Sequence, residues 1–249
     1  MFIENIFRYP IKSVGSEELK KTFLKKGSTV PWDRTWGICI NKSQSDNHDW
    51  IPPKFFARCY NFKLFSAISN VFDEATGKMI LKHPLLKDLE FNLFHDKDFN
   101  NLMIWLQNLS KENFPQPKNL LLSKKNGFTD TNYPSISLNF TSSLNDLSGF
   151  SGFEISKGRF RGNIWINGTN PWIESELIGK KIKVGKVVLE VIEPILRCRT
   201  TEFSEESGFK DVDTLKILYK LNSNLNFGLY CKVLKDGIIS INDNVEFFK

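Results

Sequence analysis

Short runs of apolar and β-branched residues, broken by polar, Gly and Pro punctuation, recur along the chain and read as strands. Met1 to Tyr9 is the first such run, and Pro10, which cannot donate to a ladder, closes it. Trp36–Ile40 predicts a second strand. Phe62–Ser69 predicts a third, with Lys63, Phe65 and Ala67 on one face and Leu64, Ser66 and Ile68 on the other. Asp73–Lys78 reads as a turn leading into Met79–Leu81, and the polar residues 41–50 read as a surface loop.

One helix interrupts this pattern. Phe99, Leu102, Met103, Leu106 and Leu109 follow the spacing of a single buried helical face, with Trp105 adjoining it and Asp98 placed to cap it. Its polar side carries few bases, which favours core packing over a membrane-surface role, and Pro115 and Pro117 stop it. The polar, Gly/Pro-punctuated stretch 123–134 reads as a junction between two halves.

The second half opens with a strand over 134–138 and a short helix from Ser142 to Leu147, capped by Thr141 or Ser142. Strands follow at Asn163–Asn167, which ends in the Asn167-Gly168 turn, and at Lys181–Val184, Lys186–Ile192 and Gly228–Leu234. A helix is expected over Asp211–Lys220, and residues 237–248 read as a final hairpin-like pair. Many short strands with few helices imply a mainly β, barrel-like architecture with peripheral helices, in two closely packed domains at 1–118 and 119–249.

Composition narrows the class. The 249 residues are 41% hydrophobic and 25% charged, values of an ordinary folded domain, and no apolar stretch is long enough to span a bilayer. With no secretory h-region in the first residues, a cytoplasmic location is the expectation. A net charge of +6 suits an anionic partner. The bases are scattered in short clusters such as Lys20-Lys21 and Lys180-Lys181, a pattern that also fits a solvated surface. No arginine-rich tail or aromatic-interleaved basic stripe points to nucleic acid.

Phosphate-loop, dinucleotide, H-E-x-x-H and G-x-S-x-G motifs are absent, and the four cysteines lack the spacing of a structural zinc site. What remains are polar residues set in β-rich sequence: Lys12-Ser13, Arg34, Arg161 with Asn163, and Arg197-Cys198. Cys198 follows a strand and Pro194, in the kind of loop where functional residues concentrate. Arg197 and Arg199 flank it, and neighbouring cations favour the thiolate, which is both nucleophile and soft metal ligand. Cys39 and Cys231 sit in apolar surroundings and read as packing residues.

Tyr9-Pro10-Ile11-Lys12-Ser13 resembles the opening signature of the N-terminal β-barrel that precedes the molybdenum cofactor sulfurase C-terminal (MOSC) domain. Arg159-Phe160-Arg161-Gly162-Asn163-Ile164 resembles the R-F-R-x-N-[IV] strand of that domain, and Pro194 to Thr201 its cysteine loop. Pro134–Leu147, Asp213–Lys216 and Phe227–Tyr230 extend the likeness in the same order. The chain looks nearest to the branch containing the amidoxime-reducing component and its bacterial relatives. It departs from the family at Ile195, where many relatives carry a first cysteine, and at 202–208, where V-D-P-x-T-G is usual.

The resemblance implies a molybdenum-pyranopterin cofactor with Cys198 as metal ligand and catalytic residue. It implies cofactor contacts at Lys12, Ser13, Arg34, Arg161, Asn163, Arg197 and Tyr230, with Asn132-Tyr133-Pro134 bordering the pterin. The activity implied is reduction of an N-hydroxylated small molecule, with electrons from a separate donor protein. Two other readings stand beside it: a sulfur carrier using a Cys198 persulfide, and a non-catalytic module that stores or transports the cofactor.

Overall fold

The computed structural model describes residues 1–40, 50–110 and 115–248, so residues 41–49 of the expected surface loop lie outside the described residues. The first part contains strands β1 (Phe2–Arg8), β2 (Ile11–Lys12), β3 (Glu17–Leu19), β4 (Lys21–Leu24) and β5 (Trp36–Cys39). It continues with β6 (Ser69–Phe72), β7 (Lys78–His83), β8 (Leu86–Asn92), helix α1 (Phe99–Gln107) and β9 (Asn119–Leu122). Then come β10 (Ile136–Phe140), α2 (Thr141–Ser151), β11 (Ile164–Asn167), α3 (Glu174–Leu177), β12 (Lys181–Val184) and β13 (Val187–Leu196). The last elements are α4 (Thr214–Asn222), β14 (Asn226–Lys235), β15 (Gly237–Ser240) and β16 (Val245–Phe248). No described helix is long and apolar enough to cross a membrane.

The fold is mainly β. Eight strands form one sheet in the order β16-β12-β13-β14-β10-β11-β1-β3. Backbone hydrogen bonds from Ile3 to Asp243 and from Val245 to Met1, at 3.0 and 3.1 Å, bring the β16 end against β1, so the sheet curls upon itself. Alternation fills its interior: Val187, Leu189 and Val191 of β13 are buried and meet Ile136, Leu138, Leu229 and Cys231 from neighbouring strands. A second core gathers Trp36, Ile38, Phe62, Phe65, Met79, Leu81, Phe91 and the buried face of α1 around the β6-β7-β8 sheet. The chain crosses between the two cores more than once. β1 and β3 belong to the large sheet, whereas β9 pairs with β5 on the other body.

Four expectations are corrected. Residues 62–68 form no strand, β6 beginning only at Ser69; Lys63–Ala67 is a 3-10 turn. Phe62 and Phe65, three apart and both buried, stack at 4.9 Å, a spacing that suits three residues per turn rather than alternation. Asp98 does not cap α1 with its side chain; its carboxylate accepts the Asn92 N–H at 3.2 Å instead, tying the end of β8 to the helix start. Neither Thr141 nor Ser142 caps α2, because Thr141 hydrogen-bonds Glu4 and Ser142 bonds Thr169. The final residues are not a hairpin: β15 pairs with β4 and β16 with β12, each finding a distant strand edge.

Candidate functional site

All eight residues singled out in the sequence line one cavity of about 120 Å³. Lys12 comes from β2 and Ser13 from the residue after it. Arg34 precedes β5, and Arg161 and Asn163 join a 3-10 turn (Lys157–Phe160) to β11. Arg197 and Cys198 follow β13, and Tyr230 lies in β14. The cavity therefore sits where the first segment of the chain meets the residues after 128, a preferred place for ligands.

The backbone there is held in an unusual conformation. Among the described residues seven other than glycine have positive φ, and three of them, Ser13 (68°), Arg34 (53°) and Arg161 (48°), line this cavity. A left-handed arginine costs of order 1 kcal/mol or more, and such costs collect at ligand sites. The return is visible in where the two guanidiniums go. Arg34 and Arg161 lie over the Tyr9 ring at 4.9 and 4.4 Å. Arg34 Nη2 donates to the Arg161 carbonyl at 2.9 Å and Arg161 Nη2 to the Gly15 carbonyl at 3.0 Å. Tyr9 is fully buried, with its hydroxyl on the Gly162 carbonyl at 3.2 Å.

Lys12 is buried too, and donates to the Phe128 carbonyl at 2.8 Å and to Asp130 at 2.5 Å. Burial pulls its ammonium below the ordinary lysine value; Asp130 opposes that shift, and Arg34 and Arg161 add to it. Arg197 is held on three sides, donating at 2.7 Å to the carbonyls of Phe227 and Phe160 and to Asn139 Oδ1. It also lies over the Phe160 and Phe227 rings, which stack on each other. Burial lowers it to about 10. Gly162 and Gly228 make room for this arrangement: a Cβ on either would fall 1.6 or 2.3 Å from the Asn139 amide.

Cys198 is exposed, and its Sγ lies 3.4 Å from the Thr200 hydroxyl. Neither flanking arginine hydrogen-bonds it. Arg197 points into its three acceptors, and Arg199 pairs with Glu202 and lies over Tyr60 at 5.8 Å. The loop that lacks the family's aspartate and proline is fixed by Glu202 instead. This buried carboxylate bonds Arg199 at 3.2 Å and Lys210 at 3.1 Å, while Thr201 meets Thr214.

Two expected cofactor contacts differ in character from the rest. The Asn163 side chain is committed to the protein: Oδ1 accepts from the Ser137 N–H and hydroxyl, and Nδ2 donates to the Phe7 carbonyl at 3.2 Å. The Tyr230 hydroxyl has no hydrogen-bond partner among the described residues, and burial, helped by the Asp130 charge, pushes it up to about 12. Asn132-Tyr133-Pro134 does not line the cavity. Thr129, Asp130 and Ser135 do, while Tyr133 turns to Glu193 at 2.5 Å and lies under Lys232.

The sequence did not reveal Arg58 or Arg159, which also line the cavity. Arg159 stands inside a quoted motif, but its guanidinium is bound to Asp211 by two bonds of 2.6 and 2.5 Å. Arg58 lies in a stretch without motif or periodicity, and its buried Nε has no partner. Beside it, Cys59 donates to the Ser13 carbonyl at 3.3 Å, and burial pushes its thiol up.

Six cations thus face one space. Lys12, Arg34 and Arg159 have carboxylate partners; Arg58, Arg161 and Arg197 have none within 4 Å among the described residues. Unneutralised guanidiniums in a cleft fit phosphate and other anionic groups. No cluster of three or more metal-ligating side chains exists among the described residues. A metal at Cys198 would hold a single protein ligand there, which fits a metal whose remaining ligands arrive on an anionic organic cofactor.

Residues 130–246 match the family model of the MOSC domain. Over 241 residues, 92% of the chain, the sequence is 25% identical to molybdenum cofactor sulfurase of Caenorhabditis elegans, and it spans 33% of that protein's length. Among solved structures, the YuaD protein from Bacillus subtilis aligns over 99% of this chain and 94% of its own, at 12% identity and a TM-score of 0.46. YiiM from Geobacillus stearothermophilus aligns over 46% and 54%, at 18% identity and a TM-score of 0.37. The chain is a mainly β protein whose residues 130–246 are similar to the MOSC domain. That domain class is associated with the molybdenum cofactor.

Proposed function

We propose that the cavity holds the molybdenum-pyranopterin cofactor and that the protein is an oxidoreductase acting on N-hydroxylated compounds of the amidoxime or hydroxylamine type. Electrons come from a separate donor protein. The observation that carries this reading is one accessible thiol, Cys198, beside three guanidiniums that no carboxylate neutralises among the described residues. Lys12, Arg34 and Arg161 would hold the terminal phosphate, with Arg58 beside them, and Arg197 the ring system. Cys198 would be the sole protein ligand of the metal. When bound, the group supplies the two-electron chemistry that cleaves the N–O bond.

In the net reaction an amidoxime takes up two electrons and two protons, becomes an amidine and releases water. The chain's own residues bind and orient. Asn139 and the Phe160 and Phe227 carbonyls aim Arg197 into the cavity, and the Glu202 pairs fix the turn that presents Cys198. Tyr230 stays protonated through neutral pH and faces the cavity as a neutral donor. The test is turnover of benzamidoxime with a chemical reductant, using protein made in a host that synthesises the pterin. Wild type should reduce it and folded Cys198→Ala should not; equal activity in the two would refute the assignment.

The likeness to a molybdenum cofactor sulfurase, together with the exposed Cys198, favours a second reading in which this thiol carries sulfur as a persulfide. Intact-mass measurement separates the two. A thiol-labile gain of one sulfur on Cys198 in pterin-free protein supports the carrier.

A further inference from the structure

A second cleft, of about 270 Å³, opens between the segment around α3, the loop after α4 and the start of β14. Trp172, Ile178, Pro194 and Phe227 give it apolar walls, and Glu174 is the one charged side chain in its lining. The side-chain amides of Asn222 and Asn226 line it as well and have no hydrogen-bond partner among the described residues.

Glu174 is 8% exposed. Its Oε2 accepts from the Ser143 hydroxyl at 2.9 Å, and the same hydroxyl accepts the Trp172 N–H at 2.8 Å. Its Oε1 is buried and makes no well-formed hydrogen bond, although the backbone N–H groups of Glu174 and Gly228 lie close enough to favour its charge. A carboxylate left half-satisfied in such surroundings is unfavourable to the protein alone, and a ligand bringing an N–H donor removes the deficit. The aromatic wall is set in advance. Trp172 has a left-handed backbone (φ 62°), its indole nitrogen is fixed on Asp146 at 2.6 Å, and its ring meets Phe227 edge-on at 6.1 Å. A bulky aromatic in that conformation marks a place where strain is tolerated for positioning.

We propose that this cleft is a binding site for a small arylalkyl amine, its ring held between Trp172, Ile178 and Phe227 and its ammonium group on the Glu174 carboxylate. Charge-assisted hydrogen bonding to a buried carboxylate and a flat apolar slot are complementary to that chemistry and to few others. The site is connected to the cationic cavity through two residues. The Phe227 carbonyl holds Arg197 Nε at 2.7 Å, and a Cβ on Gly228 would lie 3.1 Å from Arg197 Nη2. An occupant pressing on Phe227 thus acts on the residue that orients Arg197. The inference stands independently of any cofactor.

The experiment is calorimetric titration of the full 249-residue chain, free of cofactor, with benzylamine and with benzyl alcohol at neutral pH. Benzylamine should bind saturably and about tenfold or more tightly than the alcohol, the difference expected for a charged hydrogen bond. Ile178→Trp, at a residue 48% exposed, should fill the slot and abolish binding while the fold is kept. Glu174→Gln should equalise the two ligands. Absence of saturable binding, equal affinity of amine and alcohol for the wild type, or unchanged binding to Ile178→Trp would each overturn the proposal. Should Glu174→Gln fail to fold, the ligand pair and Ile178→Trp still decide it.

Discussion

Arg34 donates to the carbonyl of Arg161 at 2.9 Å from 127 positions away in the chain, and both residues hold left-handed backbone while covering the same tyrosine ring. One arginine comes from the first segment and the other from residues 130–246, which match the MOSC domain, so the cavity wall exists only when the two are docked. Arg34→Gln and Arg161→Gln should each weaken inorganic pyrophosphate binding by about tenfold to a hundredfold, the range of a lost charged hydrogen bond. The double variant should lose less than the two effects combined, because they share Tyr9. Calorimetry on the cofactor-free chain measures all three.

Arg58 separates stability from binding. Its Nε is buried with no partner, so the folded protein gains little from it. Arg58→Gln should leave the urea midpoint unchanged or raise stability by up to about 1 kcal/mol. Pyrophosphate affinity should fall in the same protein. A large loss of stability would show that Arg58 supports the fold instead.

Gly162 is a test of how Arg197 is aimed. A Cβ there would fall 1.6 Å from Asn139 Nδ2, so the amide must move and Arg197 loses an acceptor. Gly162→Ala should destabilise the protein by about 1–3 kcal/mol in urea denaturation, the cost of an unsatisfied buried group. Gly149→Ala, inside α2 where nothing lies within 4 Å, serves as the control and should not destabilise, gaining up to about 1 kcal/mol from helix propensity.

The pH dependence of Glu174 has a definite sign. Burial holds its carboxyl above the ordinary 4.5. The folded state therefore binds this proton more tightly than the unfolded chain. The unfavourable contribution is absent below about pH 4.5 and develops as pH rises toward the folded value. Glu174→Gln stays neutral throughout, so its stability relative to wild type should increase from acid to neutral pH. Parallel profiles, or the opposite slope, would contradict the burial argument.

How much of this was legible in the sequence depends on the length scale of the signal. Lys12, Arg34, Arg161, Arg197 and Cys198 reach one cavity because each sits at a strand end or turn whose local pattern is plain, as at Pro10, Asn163 and Pro194, and Tyr230 joins them from the middle of β14. Arg58 had no such marker: it precedes a stretch read as a strand that turns out to hold a 3-10 turn, with Phe62 stacked on Phe65. The partners of β15 and β16 are set by distant edges, β4 and β12, which local alternation does not encode. Asn163 shows a different limit. Residue type marks it as a donor, but only the structure shows both ends of its amide committed to Ser137 and Phe7.

The most direct test of the central claim is the metal and pterin content of wild type and Cys198→Ser, both purified from a host that makes the pyranopterin cofactor. Molybdenum and pterin are expected together in wild type. In Cys198→Ser the metal should be lost or loosely held, while pterin stays bound through the arginines. Wild-type protein free of both, or a Cys198→Ser variant that holds molybdenum as firmly as wild type, would contradict it.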